Sequence, residues 1–217
     1  MRSILVMNPK GGCGKTTIAT NLAGFYATQG KSVLLADFDP QLSSMDWLSV
    51  RSEKQPEIQG VAACNEKFRA SKNTDVLIMD APAGIHGKPL TDLLRRTETI
   101  VMPILPSPLD IRAATRFIED LKGLNKVVKA EVKLVTVANR VRENTIAGHD
   151  LFDYLSRQKL PDGKKFPFAT VLRASQNYIR AAEQGLSLFE LAPSSTDFDR
   201  QQWKPLLRWL NSVRGRP

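Results

Sequence analysis

The stretch NPKGGCGKTTIATNLAG, residues 8–24, most narrows what this chain can fold into. It closes on G-K-T, with a short apolar run before it and a helix-like run after it. Gly11, Gly12 and Gly14 let a backbone wrap closely around an anion. Successive amide groups and the first turn of the following helix then point at phosphates. Strand, glycine-rich loop, helix is the context that a phosphate-binding loop demands. In that setting Lys15 contacts the β- and γ-phosphates of a nucleotide, the Thr16 hydroxyl ligates Mg²⁺, and Thr17 reaches the α-phosphate. Lys10 is left over, a second lysine just before the double glycine.

The rest of the chain supplies a scaffold for such a loop. Apolar runs at 3–7, 32–36, 76–79, 100–104, 132–138 and 168–172 predict strands. Helical patterns fall between most of them, including 16–29, 110–124 and 177–184. Near-continuous apolar strands alternating with helices indicate a mostly parallel central sheet with helices on both faces. Pro103, Pro106 and Pro108 mark a stiff loop after the fourth strand. Residues 160–167 (LPDGKKFP) form a loop too short to be a domain linker. The expectation is therefore one α/β domain over residues 1–217, of the P-loop NTPase class.

Two acidic segments complete a nucleotide site. VLIMDAPAG (76–84) ends an apolar strand on Asp80, placed as a carboxylate behind Mg²⁺. DFDPQ (37–41) follows the second strand and sets Asp37 and Asp39 at alternate positions, so both can face the same way. One can support the Mg²⁺ shell while the other orients the attacking water; a solvated acidic turn is the plainer alternative.

Bulk properties exclude some classes. No run approaches the length of a membrane span or a signal sequence, so a cytoplasmic location is the default. Cys13 and Cys64 have no metal-ligand spacing, and a structural disulfide would be unusual in that compartment. Lysine plus arginine number 31 against 22 acidic residues, a net charge of +9. Such a balance suits a polyanionic partner, nucleic acid or an anionic membrane surface, although a basic soluble protein needs neither.

K-G-G-x-G-K-T-T, D-x-D-P-Q and an apolar strand ending in D-x-P together resemble the ParA/MinD group of deviant Walker-A ATPases. PILPSPLDIRAA (103–114) is similar to that group's P-x-x-P-S-P-L-D segment, and FATVLRASQNYIRAAEQGLSLFEL (168–191) to its late segment ending in F-E. The small size resembles the ParF-type partition proteins. The resemblance implies an ATPase using ATP and Mg²⁺, slow alone and stimulated by a ParB-like or adaptor protein. It implies a homodimer formed on ATP, in which Lys10 reaches the partner's nucleotide. It also assigns Asp39 to water activation and Asp37 to the switch and Mg²⁺. Asn139 is placed like a base-contacting residue, or equally a strand-end cap, and Pro82, Ala83 and Gly84 like a second switch. Cys13 completes the nucleotide-binding loop.

The same resemblance implies nonspecific DNA binding and a nucleoid-associated location, with a plasmid, chromosome region or protein assembly as cargo. Arg140, Arg142, Lys164, Lys165, Arg173 and Arg180 are the candidate DNA contacts. A MinD-like membrane switch is the competing reading. It would use the tail 199–217, where Trp203, Leu206, Leu207 and Leu210 lie at helical spacing with Lys204, Arg208 and Arg214 around them. The alternative for that tail is a last helix packing its apolar stripe on the sheet, and the partition-type layout favours it. A third class is a metabolic enzyme on the same fold. An iron–sulfur reductase fails for want of paired cluster cysteines, whereas a small-molecule ligase stays open.

Overall fold

A computed structural model describes residues 1–124, 132–142, 155–160, 162–212 and 215. The strands are β1 (Arg2–Val6), β2 (Val33–Asp37), β3 (Gln59–Val61), β4 (Val76–Asp80), β5 (Thr99–Ile104), β6 (Lys133–Val141) and β7 (Phe168–Arg173). They form one seven-stranded sheet in the order β3-β2-β4-β1-β5-β6-β7. Every pairing is parallel, so the sheet is all-parallel rather than mostly so. The helices whose bounds lie within the described residues are α1 (Lys15–Thr28), α2 (Ser43–Ser49), α3 (Gly87–Leu94), α4 (Pro108–Lys122), α5 (Gln176–Glu183) and α6 (Pro193–Leu210).

The strand sequences read as apolar runs because both faces are covered. Along β1, Leu5 packs with Leu90, Leu94, Ile111 and Ile118 of α3 and α4. Ile4 and Val6 point the other way, onto Ile18 and Leu22 of α1 and Trp203 and Leu206 of α6. Period-two alternation thus feeds two separate cores from one strand.

The C-terminal helix decides one open question. Trp203, Leu206, Leu207 and Leu210 are all buried in the second core. The Trp203 Nε1 also donates to the Tyr178 hydroxyl at 2.9 Å. The stripe considered for a membrane surface is therefore core, while Arg214 lies outside the described residues. No helix among the described residues is long and apolar enough to cross a membrane.

Two local expectations are corrected. Pro103 lies inside β5, next to its last residue, and Pro108 opens α4, so the two prolines belong to element ends rather than to a long loop. Proline suits a first helical turn because its missing N–H would be unpaired there anyway. Asn139 lies inside β6, not after it. The loop at 160–167 carries a one-residue antiparallel bridge, Lys159 to Lys165.

Sheet order places the chemistry. Val6, which leads into the glycine-rich loop, pairs with Asp80, and Asp80 pairs with Asp37. The chain leaves β1 for β2 on one side, then leaves β4 for β5 on the other. The carboxyl ends of strands at such a reversal form the crevice where α/β sheets hold ligands.

Candidate nucleotide site

The glycine-rich loop is braced from several sides. The Asn8 amide donates to the Pro103 carbonyl at 2.6 Å, and its oxygen accepts from the Lys10 N–H at 2.9 Å. Gly14 caps α1 with φ 89°, and no side chain caps the helix. A side chain at 14 would also collide with Asn139, whose Nδ2 lies 2.2 Å from the Cβ position. Only glycine meets both demands, and the first-turn amides stay open to an anion. Asn139 itself donates to the Cys13 carbonyl at 2.9 Å and so fixes the loop's outer wall. Burial pushes the Cys13 thiol pKa up, with Lys15 and Arg140 opposing as nearby cations.

Lys15 is buried, and its ammonium bonds the Lys10 carbonyl at 3.3 Å across the loop. Thr16 and Thr17 stand half-buried in the first turn of α1. Asp80 is 1 % exposed, and neither carboxylate oxygen has a hydrogen-bond partner of normal geometry. Burial pushes its pKa up to about 7, opposed by the Thr16 hydroxyl and Lys15 and reinforced by Asp37 and Asp39. A buried, unpartnered carboxylate is costly unless something cationic completes it.

Asp37 is differently employed. One oxygen accepts from the Asp39 N–H at 2.9 Å, and the other from the Ser44 N–H at 2.9 Å and hydroxyl at 2.6 Å. It anchors the start of α2 and the turn that carries Asp39. Asp39 is half-buried, with one oxygen on the Gln41 N–H at 3.0 Å. Of the two aspartates first weighed for the metal, Asp80 offers uncommitted oxygens and Asp37 builds the loop.

Lys10 is turned onto its own chain. Its ammonium lies 2.9 Å from Asp110 Oδ1 while remaining 43 % exposed. Ser107, which caps α4, accepts from the Asp110 N–H at 3.1 Å and bonds the Asp110 carboxylate through its hydroxyl. The Ser107 bond and Lys10, against burial, hold the Asp110 carboxyl below its ordinary range. Asp110 was not among the residues singled out from sequence. The S-P-L-D spacing of a helix cap is the signal that could have found it. The segment expected to form a second switch is adjacent: Gly84 (φ 68°) donates from its N–H to the Pro9 carbonyl at 2.9 Å.

The six candidate DNA contacts do not form one patch. Arg140, Arg142 and Arg173 line a cavity of about 700 Å³ together with Thr17 and Asn139. Arg173 is tied down there, 2.5 Å from the fully buried Asp199 and 4.7 Å from the Phe198 ring centre. Lys164 and Lys165 are exposed in the 160–167 turn, with Lys164 at 3.6 Å from Asp162. Arg180 is exposed on α5.

Residues 4–188 match the family described as CbiA, the CobQ/CobB/MinD/ParA nucleotide binding domain. The chain belongs to that ParA/MinD family. It is 29% identical over 195 residues to the maintenance of carboxysome distribution protein A of Halothiobacillus neapolitanus, covering 87% of each chain. The ATP complex of Cyanothece McdA superposes with a TM-score of 0.72 at 16% identity, over 95% of this chain and 96% of that one. Cobyrinic acid a,c-diamide synthase of Mycobacterium smegmatis, with an ATP analogue and magnesium, gives 0.68 at 19% identity over 100% and 98%. Likeness at these identities shows the P-loop NTPase fold that the sequence predicts, and partition proteins share it with a metabolic enzyme.

Proposed function

We propose that this chain is an ATPase that dimerises on ATP, binds DNA without sequence preference and positions a cargo through partner-stimulated hydrolysis. The observation that carries the proposal is the second lysine. Lys10 is half-exposed at the rim of the glycine-rich loop and is held by Asp110 rather than by any nucleotide-facing group of its own site. A cation so placed can serve a second subunit, which would couple hydrolysis to dimerisation as an arginine finger does.

The residues present fit Mg²⁺. Among the described residues no group of three or more histidine, cysteine or acidic side chains is placed to hold a metal ion by itself. Mg²⁺ asks for little more than a carboxylate, a hydroxyl, phosphates and water. The unpartnered Asp80 carboxylate and the Thr16 hydroxyl beside it supply the protein's share. When bound, the ion neutralises charge on the β- and γ-phosphates.

The protein's own residues do the rest. Lys15 leaves the Lys10 carbonyl and takes the β- and γ-phosphate oxygens. Amides of Gly11–Gly14 and Thr17 cradle the chain of phosphates, and Asn139 holds the loop against the base side. Asp39 sits on the turn built by Asp37, where it orients the attacking water and receives its proton. Lys10 exchanges Asp110 for the partner's nucleotide. Gly84, bonded to Pro9, links the γ-phosphate to the second switch.

The carboxysome-distribution relative and the net charge of +9 support a cargo-positioning role on DNA in the cytoplasm, at the nucleoid. Lys164, Lys165 and Arg180, exposed like Arg140 and Arg142 but outside the cavity beside the phosphate loop, are the candidates for DNA-phosphate contact, acting through a ParB-like or adaptor partner's cycle of release. The test is dimerisation of Lys10→Gln against wild type, by light scattering with ATP and with ADP. Wild type should dimerise with ATP alone and Lys10→Gln with neither. An ATP-dependent Lys10→Gln dimer would remove the cross-subunit role.

A further inference from the structure

Arg140 is a residue whose placement the sequence pattern leaves unexplained. It has φ 57°, one of two non-glycine described residues at positive φ. Glycine or asparagine takes that conformation readily; arginine does so at a cost. The cause is local. Pairing of β6 with β7 jumps from Ala138 to Val141, leaving Asn139 and Arg140 in an irregularity of the ladder. Such a bulge re-aims a side chain, and bulges gather beside functional sites.

Both flanks of Arg140 are fixed. Asn139 is buried on the Cys13 carbonyl. Val141 is buried, and its carbonyl accepts from the Ala174 N–H at 2.8 Å. Between them the Arg140 side chain turns to the phosphate loop, with Nε 3.9 Å from where a Cβ on Gly14 would stand. The guanidinium is exposed and makes no hydrogen bond or ion pair with any described residue. It lines the 700 Å³ cavity with Thr17, a volume within the range of small-ligand sites. Glu183 is the one carboxylate among the lining residues, whereas Arg173 already answers to Asp199.

We propose that Arg140 is a nucleotide-binding residue of its own subunit, contacting the α- and β-phosphates that ATP and ADP share, rather than a DNA contact. The inference rests on the nucleotide-site reading above. A guanidinium presents a planar fork that matches phosphate oxygens. One poised over the residue that caps α1 meets the same anion as the helix amides. Because both nucleotides carry these phosphates, Arg140 sets affinity without distinguishing ATP from ADP. Lys10, by contrast, acts on the dimer.

The experiment is titration calorimetry of ATP and ADP, each with Mg²⁺, into wild type, Arg140→Gly and Arg140→Lys. Glycine suits the positive φ, so Arg140→Gly removes the cation without straining the bulge. A matching thermal midpoint verifies that it folds. The expected result is a loss of roughly 10–100-fold for both nucleotides, the range for a lost bond to a charged group, with Arg140→Lys recovering part of it. At saturating ATP, Arg140→Gly should bind random-sequence DNA with wild-type affinity and salt slope. An ADP affinity within about twofold of wild type overturns the proposal. So does a DNA salt slope smaller by about one with nucleotide affinity intact, the mark of a phosphate contact on DNA. If wild type and Lys15→Ala alike bind no nucleotide, the underlying nucleotide reading fails first, and that pattern is distinct from a failure at Arg140.

Discussion

Asp110→Asn should tighten the ATP-dependent dimer. In the single chain the Asp110 carboxylate holds the Lys10 ammonium at 2.9 Å, a contact that must break before Lys10 can serve a partner. The pair is partly exposed, 43 % on the lysine side and 17 % on the aspartate side. An ion pair of that kind is worth about 0.5–1 kcal/mol. Two protomers each release one, so about 1–2 kcal/mol is returned to association, or roughly 5–30-fold in the dimer dissociation constant. Asparagine keeps an oxygen for the Ser107 hydroxyl and so preserves most of the cap. It gives up the charge at the start of α4, which costs about 0.3–1 kcal/mol of folding stability. Sedimentation velocity over a concentration series, with ATP and in an Asp39→Ala background to suppress turnover, reads the constant. An unchanged or weaker dimer would refute the idea that Asp110 holds Lys10 back.

Other outcomes follow from the same contacts. The Asp80 carboxyl titrates near 7 when folded and near 3.8 when unfolded, so the folded nucleotide-free chain holds the extra proton between those values. Its contribution is fully present below about pH 4 and lost as pH rises through 7, at up to about 1.4 kcal/mol per unit. Urea midpoints at pH 6 and 8 should therefore differ more in wild type than in Asp80→Asn, and an equal difference would show that Asp80 is not the source. Arg51 and Glu190 form a pair with buried side chains, 5 % and 2 % exposed, that ties the segment just after α2 to residues 185–190. Glu190→Ala should cost about 3–5 kcal/mol in urea denaturation, because it removes the counter-ion of a buried guanidinium that the Gly185 and Pro56 carbonyls bond but do not neutralise. Trp203→Ala should cost a similar 3–5 kcal/mol, as a large buried side chain; a variant that folds normally but leaves liposomes would revive the membrane reading.

Much of the fold was legible because parallel strands buried on both faces are continuous apolar runs. All six predicted strands exist, their ends displaced by up to two residues except in β6, which runs three residues further than predicted. The missed elements share a physical character. β3 is a three-residue edge strand, QGV, with two exposed positions, too short for any period to register. α2 is seven residues with only Ser44 and Trp47 buried, and its start is fixed by Asp37 from outside the helix. α3 begins GKP, which reads as a turn until Leu90, Leu93 and Leu94 are seen packed on the sheet.

The site was legible in the same uneven way. The phosphate loop declares itself because its glycines, lysine and threonines act through local backbone geometry. Asp80 sits where a strand end puts it. The placements of Lys10 and Arg140 were not readable, since both depend on contacts between distant segments, α4 in one case and a bulge between β6 and β7 in the other. Arg173 was grouped with the DNA-contact candidates from charge and from the family resemblance of its segment, and Asp199, 26 residues further on, holds it in an ion pair that neither signal discloses.

Binding of random-sequence DNA by the Asp39→Ala protein tests the central claim most directly. It should be compared with ATP and with ADP, at two salt concentrations. ATP-dependent binding that weakens steeply with salt is the predicted result, since Asp39→Ala traps the ATP dimer and its cations release counterions on DNA. ATP-dependent dimers that bind no DNA in either state would contradict it.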